Sequence, residues 1–423
     1  MTKCEILSNE ESDANRSNCR ARKIPGLEIN YAVFSTFGSV TPSRYWDFHY
    51  WCDFAKGTIL IRNFFVSSFA VCALTLLFAV CAYPVRAGDL LLFPSITSVH
   101  QSQQDVDLAP KEFVPAVDIF YTHDFDQTRF LTEFLKSSQE ADLERLQFGW
   151  HILPGKTLWV GRFHNPISFW NTEMHHGDFL QTSLSRPTVA NYEDELGPLP
   201  THISGVLLES TGTIGDSEIN YMANLGVGPT FMDTSLEPLD LLNPVNTGKV
   251  AGSFRLGFHP EIGNPNQFGA ALGYARIPFN NAVTDPVSNA LVDEVQQTVL
   301  SAFLNYEKGK FHMIGELFVF DDLVSGTGNS SRYTSVSAYL QPEYKPGESG
   351  RMTLYARIET TPNAAEDGYL SLFKEFSPHQ LFAGIRYDIT AKQAIKVEAG
   401  RTQRQDGLEF NSISAQWCMV LPL

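Results

Sequence analysis

The chain has 423 residues, 43% hydrophobic, 12% aromatic and 18% charged, with 31 basic against 47 acidic residues and a mean hydropathy of −0.12. So polar a balance excludes a bundle of membrane helices, each of which needs about 20 consecutive apolar residues, and the acidic surplus excludes nucleic acid as a partner. Of the six cysteines, Cys4, Cys19, Cys52, Cys72 and Cys81 precede residue 88, which leaves Cys418 alone, too few for a disulfide framework or a cysteine zinc site.

From the N-terminus, residues 1–59 mix basic and acidic side chains without pattern. Phe64 to Ala82 is an apolar run with Lys56 and Arg62 before it and Val85-Arg86-Ala87 after it, the layout of a secretory signal cleaved after Ala87, with an uncleaved anchor as the alternative because the apolar core is long for a signal. The expected organisation is a non-native extension over 1–59, with translation starting at an alternative codon near Leu60, then a signal peptide over 60–87. A polar lead-in over 88–112, in which Leu90 to Phe93 could begin an extra strand, and one domain over 113–423 follow. The first 87 residues hold 9 basic and 7 acidic residues, leaving 22 and 40 for the exported chain, a formal net of −18.

Beyond Leu143 the chain repeats one unit of about ten residues in which apolar and polar side chains alternate. Phe254, Leu256 and Phe258 alternate with Ser253, Arg255 and Gly257, and Leu300, Ala302, Leu304 and Tyr306 with Ser301, Phe303 and Asn305. Met352, Leu354, Ala356 and Ile358 alternate with Thr353, Tyr355, Arg357 and Glu359. Leu381, Ala383, Ile385, Tyr387 and Ile389 alternate with Phe382, Gly384, Arg386 and Asp388.

Alternation alone suits a soluble sandwich equally well. The connections discriminate. Tight turns rich in Gly, Pro, Lys and Asn fall at Leu153 to Lys156, Thr211 to Ile214, Glu261 to Asn266, Glu307 to Lys310, Tyr344 to Gly350 and Thr390 to Lys392. Long loops fall between them, at His164 to Thr201, Gly226 to Gly248, Pro278 to Val295, Asp321 to Ser331 and Thr361 to Pro378. The pattern predicts an all-β fold, a transmembrane antiparallel up-and-down β-barrel of about 14–16 strands with short periplasmic turns and long extracellular loops. Ile413, Ala415, Trp417, Met419, Leu421 and Leu423 alternate to the chain end as a last strand. Trp159, Tyr221, Tyr306, Tyr333 and Trp417 are expected in the interfacial girdles.

Gly161-Arg162-Phe163-His164-Asn165-Pro166, Phe169-Trp170-Asn171, His175-His176-Gly177 and Ser185-Arg186-Pro187 form a dense motif cluster, preceded by Glu144-Arg145-Leu146-Gln147. In these motifs, within residues 113–210, the chain resembles a poorly characterised group of bacterial porin-like barrels in which an early strand ends in Gly-Arg-Phe. It is similar, more distantly, to phosphate-selective porins, although the basic ladder such a pore would carry is not evident. The resemblance implies an outer-membrane porin-like barrel and no particular solute.

A loop of nearly forty residues, roughly 164–201, is too long for a bare connection. Folded into the lumen it would narrow a pore, with Trp170, Asn171, His175, His176, Asp178 and Arg186 at the constriction. Packing of the loop onto the wall is the weightier alternative, because its backbone must first satisfy its own hydrogen bonds. Polar parity places Glu218, Arg255, His312, Glu316, Glu343, Arg357, Glu359, Arg386, Asp388, Lys396 and Glu398 inward, where mixed signs would either select polar solutes across open water or pair and plug the barrel. Glu173, His175 and His176 with His164 and His202 have metal-ligand chemistry, but no spacing of a known zinc site appears, and neither a metal nor a cofactor is expected.

An enzyme is not expected either: Gly-x-Ser-x-Gly and His-Glu-x-x-His are absent, and Ser204 near His202 is no catalytic pair. The expected function is an outer-membrane porin-like channel passing small polar solutes or ions, with cations or neutral solutes preferred. A non-conducting barrel serving as surface receptor, anchor or adhesion protein is the competing class. The partners implied are outer-membrane lipid and lipopolysaccharide, the barrel-assembly machinery, small solutes and further copies of the chain in a homo-oligomer.

Overall fold

The computed structural model describes residues 88–102, 113–138, 141–174, 177–193, 197–239, 241, 248–326 and 328–423. The expected extension over 1–59 and signal over 60–87 lie outside the described residues.

Strands β1 (Asp89–Gln101), β2 (Val114–Phe125), β3 (Thr128–Ser137), β4 (Ala141–Leu153), β5 (Lys156–His164), β6 (His202–Ile214) and β7 (Ser217–Val227) follow one another as antiparallel neighbours. The short strands β8 (Thr230–Met232) and β9 (Ser235–Glu237) form a hairpin of their own. The wall resumes through β10 (Val250–His259), β11 (Gln267–Thr284), β12 (Leu291–Lys308), β13 (Phe311–Gly326) and β14 (Asn329–Tyr344), then β15 (Met352–Thr360), β16 (His379–Thr390), β17 (Gln393–Gln403) and β18 (Glu409–Met419). β10 pairs back onto β7. β1 pairs with β18 from Ser95 opposite Cys418 to Gln101 opposite Ser412, and the terminal β19 (Leu421–Pro422) extends that seam. The result is a closed barrel of 16 antiparallel strands, at the upper end of the expected count.

Closure leaves no strand edge within the belt, so the ladder groups there find partners without water, while the outer part of β14, Asn329 to Ser337, is paired on its β13 side only. The faces are inverted relative to a soluble protein. Along β12 and β15 the apolar positions point out, Leu300 at 52% and Ile358 at 56% exposure, while Ser301, Thr353, Tyr355, Arg357 and Glu359 are buried. Leu272, Leu340, Leu381, Ile385, Val397 and Ile413 continue the outward belt round the wall. An apolar belt of that extent has a matching solvent only in a bilayer.

At the short-turn end the belt is edged by Phe125, Trp150, Phe268, Tyr306, Phe311 and Tyr344, all exposed. Tyr221 and Trp417 share the outward parity, but Trp159 and Tyr333 do not. Trp159 is buried inside and donates to Glu209 (2.8 Å), and the Tyr333 hydroxyl donates to Asp285 (2.7 Å), so these two leave the expected girdle.

Three boundaries differ from the sequence expectation. The wall begins at Asp89 instead of Phe113: β1 occupies the stretch expected as a lead-in, and it starts at Leu90 to Phe93, where the sequence allows an extra strand, a continuous apolar run with no alternation. The run is explained by Phe93, which packs inward on Phe179, so that both faces of this strand meet apolar surroundings. Pro278 to Val295 and Asp321 to Ser331 are mostly strand, since β11 to β14 continue past the belt, β11 and β12 with a register shift between Pro278 and Val283. The turn expected at Thr211 to Ile214 moves to Gly215-Asp216.

Gly161 explains the Gly-Arg-Phe motif locally. Its φ is 135°, and a Cβ there would overlap the Leu146 carbonyl of the neighbouring strand. Gly161→Ala is therefore expected to destabilise the β4–β5 pairing by about 1–3 kcal/mol, read as a lower urea midpoint of the refolded barrel.

Candidate functional site in the barrel lumen

The segment between β5 and β6 folds inward. Ser168 caps helix α1 (Phe169–Glu173), its hydroxyl accepting from Asn171 N, and helix α2 (Gly177–Leu180) and a 3₁₀ turn at Thr188–Ala190 follow. Phe169, Trp170 and Ile167 are buried against Phe303, Phe318 and Tyr339 of the inner wall, with Trp170 edge-on to Tyr339 at 5.8 Å. An apolar patch on the inner wall thus seats the helix, and charges orient it.

Glu316 of β13 stands at the start of α1. Its carboxylate accepts from Phe169 N (2.6 Å), Trp170 N (3.3 Å), Ser168 Oγ (3.0 Å) and Tyr339 OH (2.8 Å). Amide groups that no helical carbonyl reaches are satisfied there by an anion. Arg255 of β10 reaches the other end of α1, donating to Thr172 Oγ1, lying 3.6 Å from Glu173 and stacking on Phe303 at 4.4 Å.

Further along, Arg357 of β15 is fully buried and uses its whole guanidinium. It donates to Glu359 (2.7 Å), Ser183 Oγ (3.1 Å), Ser185 O (2.8 Å), Ser185 Oγ (2.7 Å) and Arg186 O (2.9 Å). Glu359 accepts from Thr188 N (2.7 Å), and Glu398 from Leu184 N (3.3 Å), Ser185 N (3.1 Å) and Tyr355 OH (2.9 Å). Arg386 donates to the carbonyls of Phe179 (2.7 Å) and Gln181 (2.8 Å), Lys396 to those of Asp178 (2.5 Å) and Ser183 (3.0 Å). Glu343 accepts from Thr182 Oγ1 (3.0 Å) and faces His312 Nδ1 at 2.9 Å. Asp118 of β2 accepts from Gly177 N (3.1 Å).

The expected inward residues are thus inward, and most of them hold the segment. Asp388 pairs with Arg386 (2.9 Å) and stays 31% exposed, and Glu218 is half-buried beside the short turns, opposite His259. Of the expected constriction residues, Trp170 and Asn171 are buried, and Arg186 donates to Asn171 Oδ1 (2.7 Å) while lying over the Tyr192 ring at 3.7 Å. Asp178 is half-buried, and His175 and His176 lie outside the described residues. Burial pushes the Tyr192 phenol well above its ordinary value, against the pull of Arg186.

A second inserted segment, 361–378, is not predicted by the sequence beyond its being a long loop. Tyr369, Leu370, Phe373 and Phe376 pack with Phe231 of β8, and Tyr369 OH donates to Pro198 O (2.9 Å), tying the two segments together. Asp367 accepts from Tyr369 N (2.9 Å), Leu370 N (3.1 Å) and Ser335 Oγ (2.8 Å), and burial raises its carboxyl above the usual range against those bonds. The signal was available: five large apolar side chains, Tyr369, Leu370, Leu372, Phe373 and Phe376, within eight residues of a loop need something to pack on.

No protein-family model matches the chain, and no curated protein matches it. Its likeness to the motif group and to phosphate-selective porins therefore rests on the motifs alone. Solved structures are similar in fold. Against the anion-selective porin from Comamonas acidovorans the TM-score is 0.53, with 9% identity over 79% of this chain and 100% of that one. Against OprB of Pseudomonas putida it is 0.50, with 9% identity over 84% of this chain and 97% of that one. What is shared at that identity is the fold, a closed antiparallel transmembrane β-barrel.

Proposed function

We propose that the chain is a bacterial outer-membrane barrel of porin type, exported by a cleaved signal, in which small polar solutes or ions pass along a route narrowed by the inserted segment 165–201. The observation that carries this reading is the docking of that segment onto inward charges from β2, β10 and β13 to β17. Half-buried Thr172, Met174, Asp178 and Arg186 mark where the segment still meets solvent and where a route would run. Lipid, lipopolysaccharide, the assembly machinery and further copies of the chain are the partners such a barrel would meet.

A second reading, a non-conducting barrel acting as receptor or anchor through its loops, is favoured by one observation. Lys396, Arg357, Gln341 and Ser301 on the inner wall have no exposure at all. Proteoliposome swelling with polar solutes of graded size separates the two. The channel reading expects permeation that falls off sharply with solute size, and no permeation by a folded, heat-modifiable barrel would transfer the assignment to the second.

A further inference from the structure

We propose that Glu144, His164 and His202 form a binding site for a divalent transition-metal ion of the zinc class, with Glu193 as the carboxylate behind the His202 ring. The site is independent of whether the lumen conducts. His164 ends β5 and His202 begins β6, and the two are register partners, which places both rings on one face, 5.0 Å apart and inclined by 65°. Glu144 comes from β4, and its Oε2 lies 3.0 Å from His202 Nε2. One ligand atom from each of the three residues falls within 4.8 Å of the others, and all three are buried. Bonds of about 2.0–2.2 Å to a tetrahedral ion would hold such atoms roughly 3.3–3.6 Å apart, so the Glu144–His202 pair at 3.0 Å would open slightly while the widest pair, no more than 4.8 Å, closes.

Glu193 supplies the outer support. One of its oxygens accepts from Thr201 N (2.7 Å) and His202 N (2.9 Å), and the other lies 2.7 Å from His202 Nδ1. That contact keeps the proton on Nδ1 and turns Nε2 toward Glu144 and His164, the arrangement by which a carboxylate orients a metal-binding histidine. Arg162 pairs with Asp142 (3.2 Å) and Arg145 with Glu133 (2.6 Å). Two imidazoles and one carboxylate suit Zn²⁺, Cu²⁺ or Ni²⁺ over the oxygen-seeking Mg²⁺ and Ca²⁺, and leave a fourth position for water. Glu173, grouped with the histidines on sequence, is drawn away toward Arg255. Because His164 and His202 stand where the inserted segment leaves and rejoins the wall, an ion there would staple the neck of that segment.

The test is a Zn²⁺ titration of the full chain, extracted in detergent and stripped with chelator, with Mg²⁺ and Ca²⁺ as competitors. One ion per chain is expected, insensitive to both competitors. Binding should be lost in His164→Ala and His202→Ala, weakened about 10–100-fold in Glu193→Gln, and unchanged in the double variant His175→Ala/His176→Ala. Cu²⁺ electron paramagnetic resonance on the unsubstituted protein covers the case in which a variant does not fold, with coupling to two imidazole nitrogens expected. Absence of binding by the folded barrel, coupling to fewer than two nitrogens, or loss only in the His175/His176 variant would overturn the site and leave His202 as a cation held between two carboxylates.

Discussion

Arg357→Ala should free the stretch around Ser183 to Arg186 from the wall while leaving the barrel closed. The side chain is fully buried and makes contacts to Glu359, Ser183, Ser185 and Arg186 that nothing nearby can replace. Its removal leaves Glu359 without its guanidinium partner and four loop oxygens, Ser183 Oγ, Ser185 O, Ser185 Oγ and Arg186 O, without their donor. Breaking one side of a buried ion pair costs about 3–5 kcal/mol, enough to detach a segment whose own helices are only 5 and 4 residues long. The wall does not depend on the contact, because β15 is held by backbone ladders to β14 and β16. Limited proteolysis should therefore cut within 165–201 in the variant and spare it in the parent, and bilayer currents should become larger and noisier. Arg357→Lys should fall between, since an ammonium keeps the charge but not the fork. Unchanged proteolysis and unchanged currents would mean that the segment is held by something else.

Leu300→Arg is expected to be the most damaging single change on the outer surface. Leu300 lies midway along β12, between Leu272 and Val319, in the centre of the outward belt. An arginine at the bilayer midplane of a barrel costs about 2–4 kcal/mol. Ser301→Ala, one residue on and facing in, removes only the hydroxyl donated to Ile167 O (2.7 Å) and should cost about 1 kcal/mol. Urea unfolding in lipid vesicles measures both. Were the barrel soluble, Leu300→Arg would be nearly neutral, so the order of the two values tests the inverted faces directly.

The wall was legible wherever one face meets lipid and the other meets polar groups, as along β10, β12, β15 and β16, because alternation is then a consequence of two different solvents. It was legible only in part in β1, where the apolar run Leu90 to Phe93 allows a strand but Phe93 faces an apolar insert and removes the alternation, and not in the outer ends of β11 to β14, where polar side chains resemble loop. Parity also gave the direction of Glu316, Arg357 and Glu398 correctly but not their partners. Those partners are backbone amides and carbonyls of residues 169–188, and main-chain groups leave no mark in side-chain chemistry. The His164–His202 approach was hidden for a related reason. The two are 38 positions apart in sequence, and only the β5–β6 register makes them neighbours.

The central claim, that an inserted segment fills a porin-type barrel and narrows what it passes, is tested most directly by single-channel recording from the purified, unsubstituted protein in planar bilayers at several salt compositions. Small, stable current steps, well below those of an unobstructed 16-stranded barrel, are the predicted result. Large steps would contradict the filled lumen, and silence from a correctly folded barrel would contradict passage.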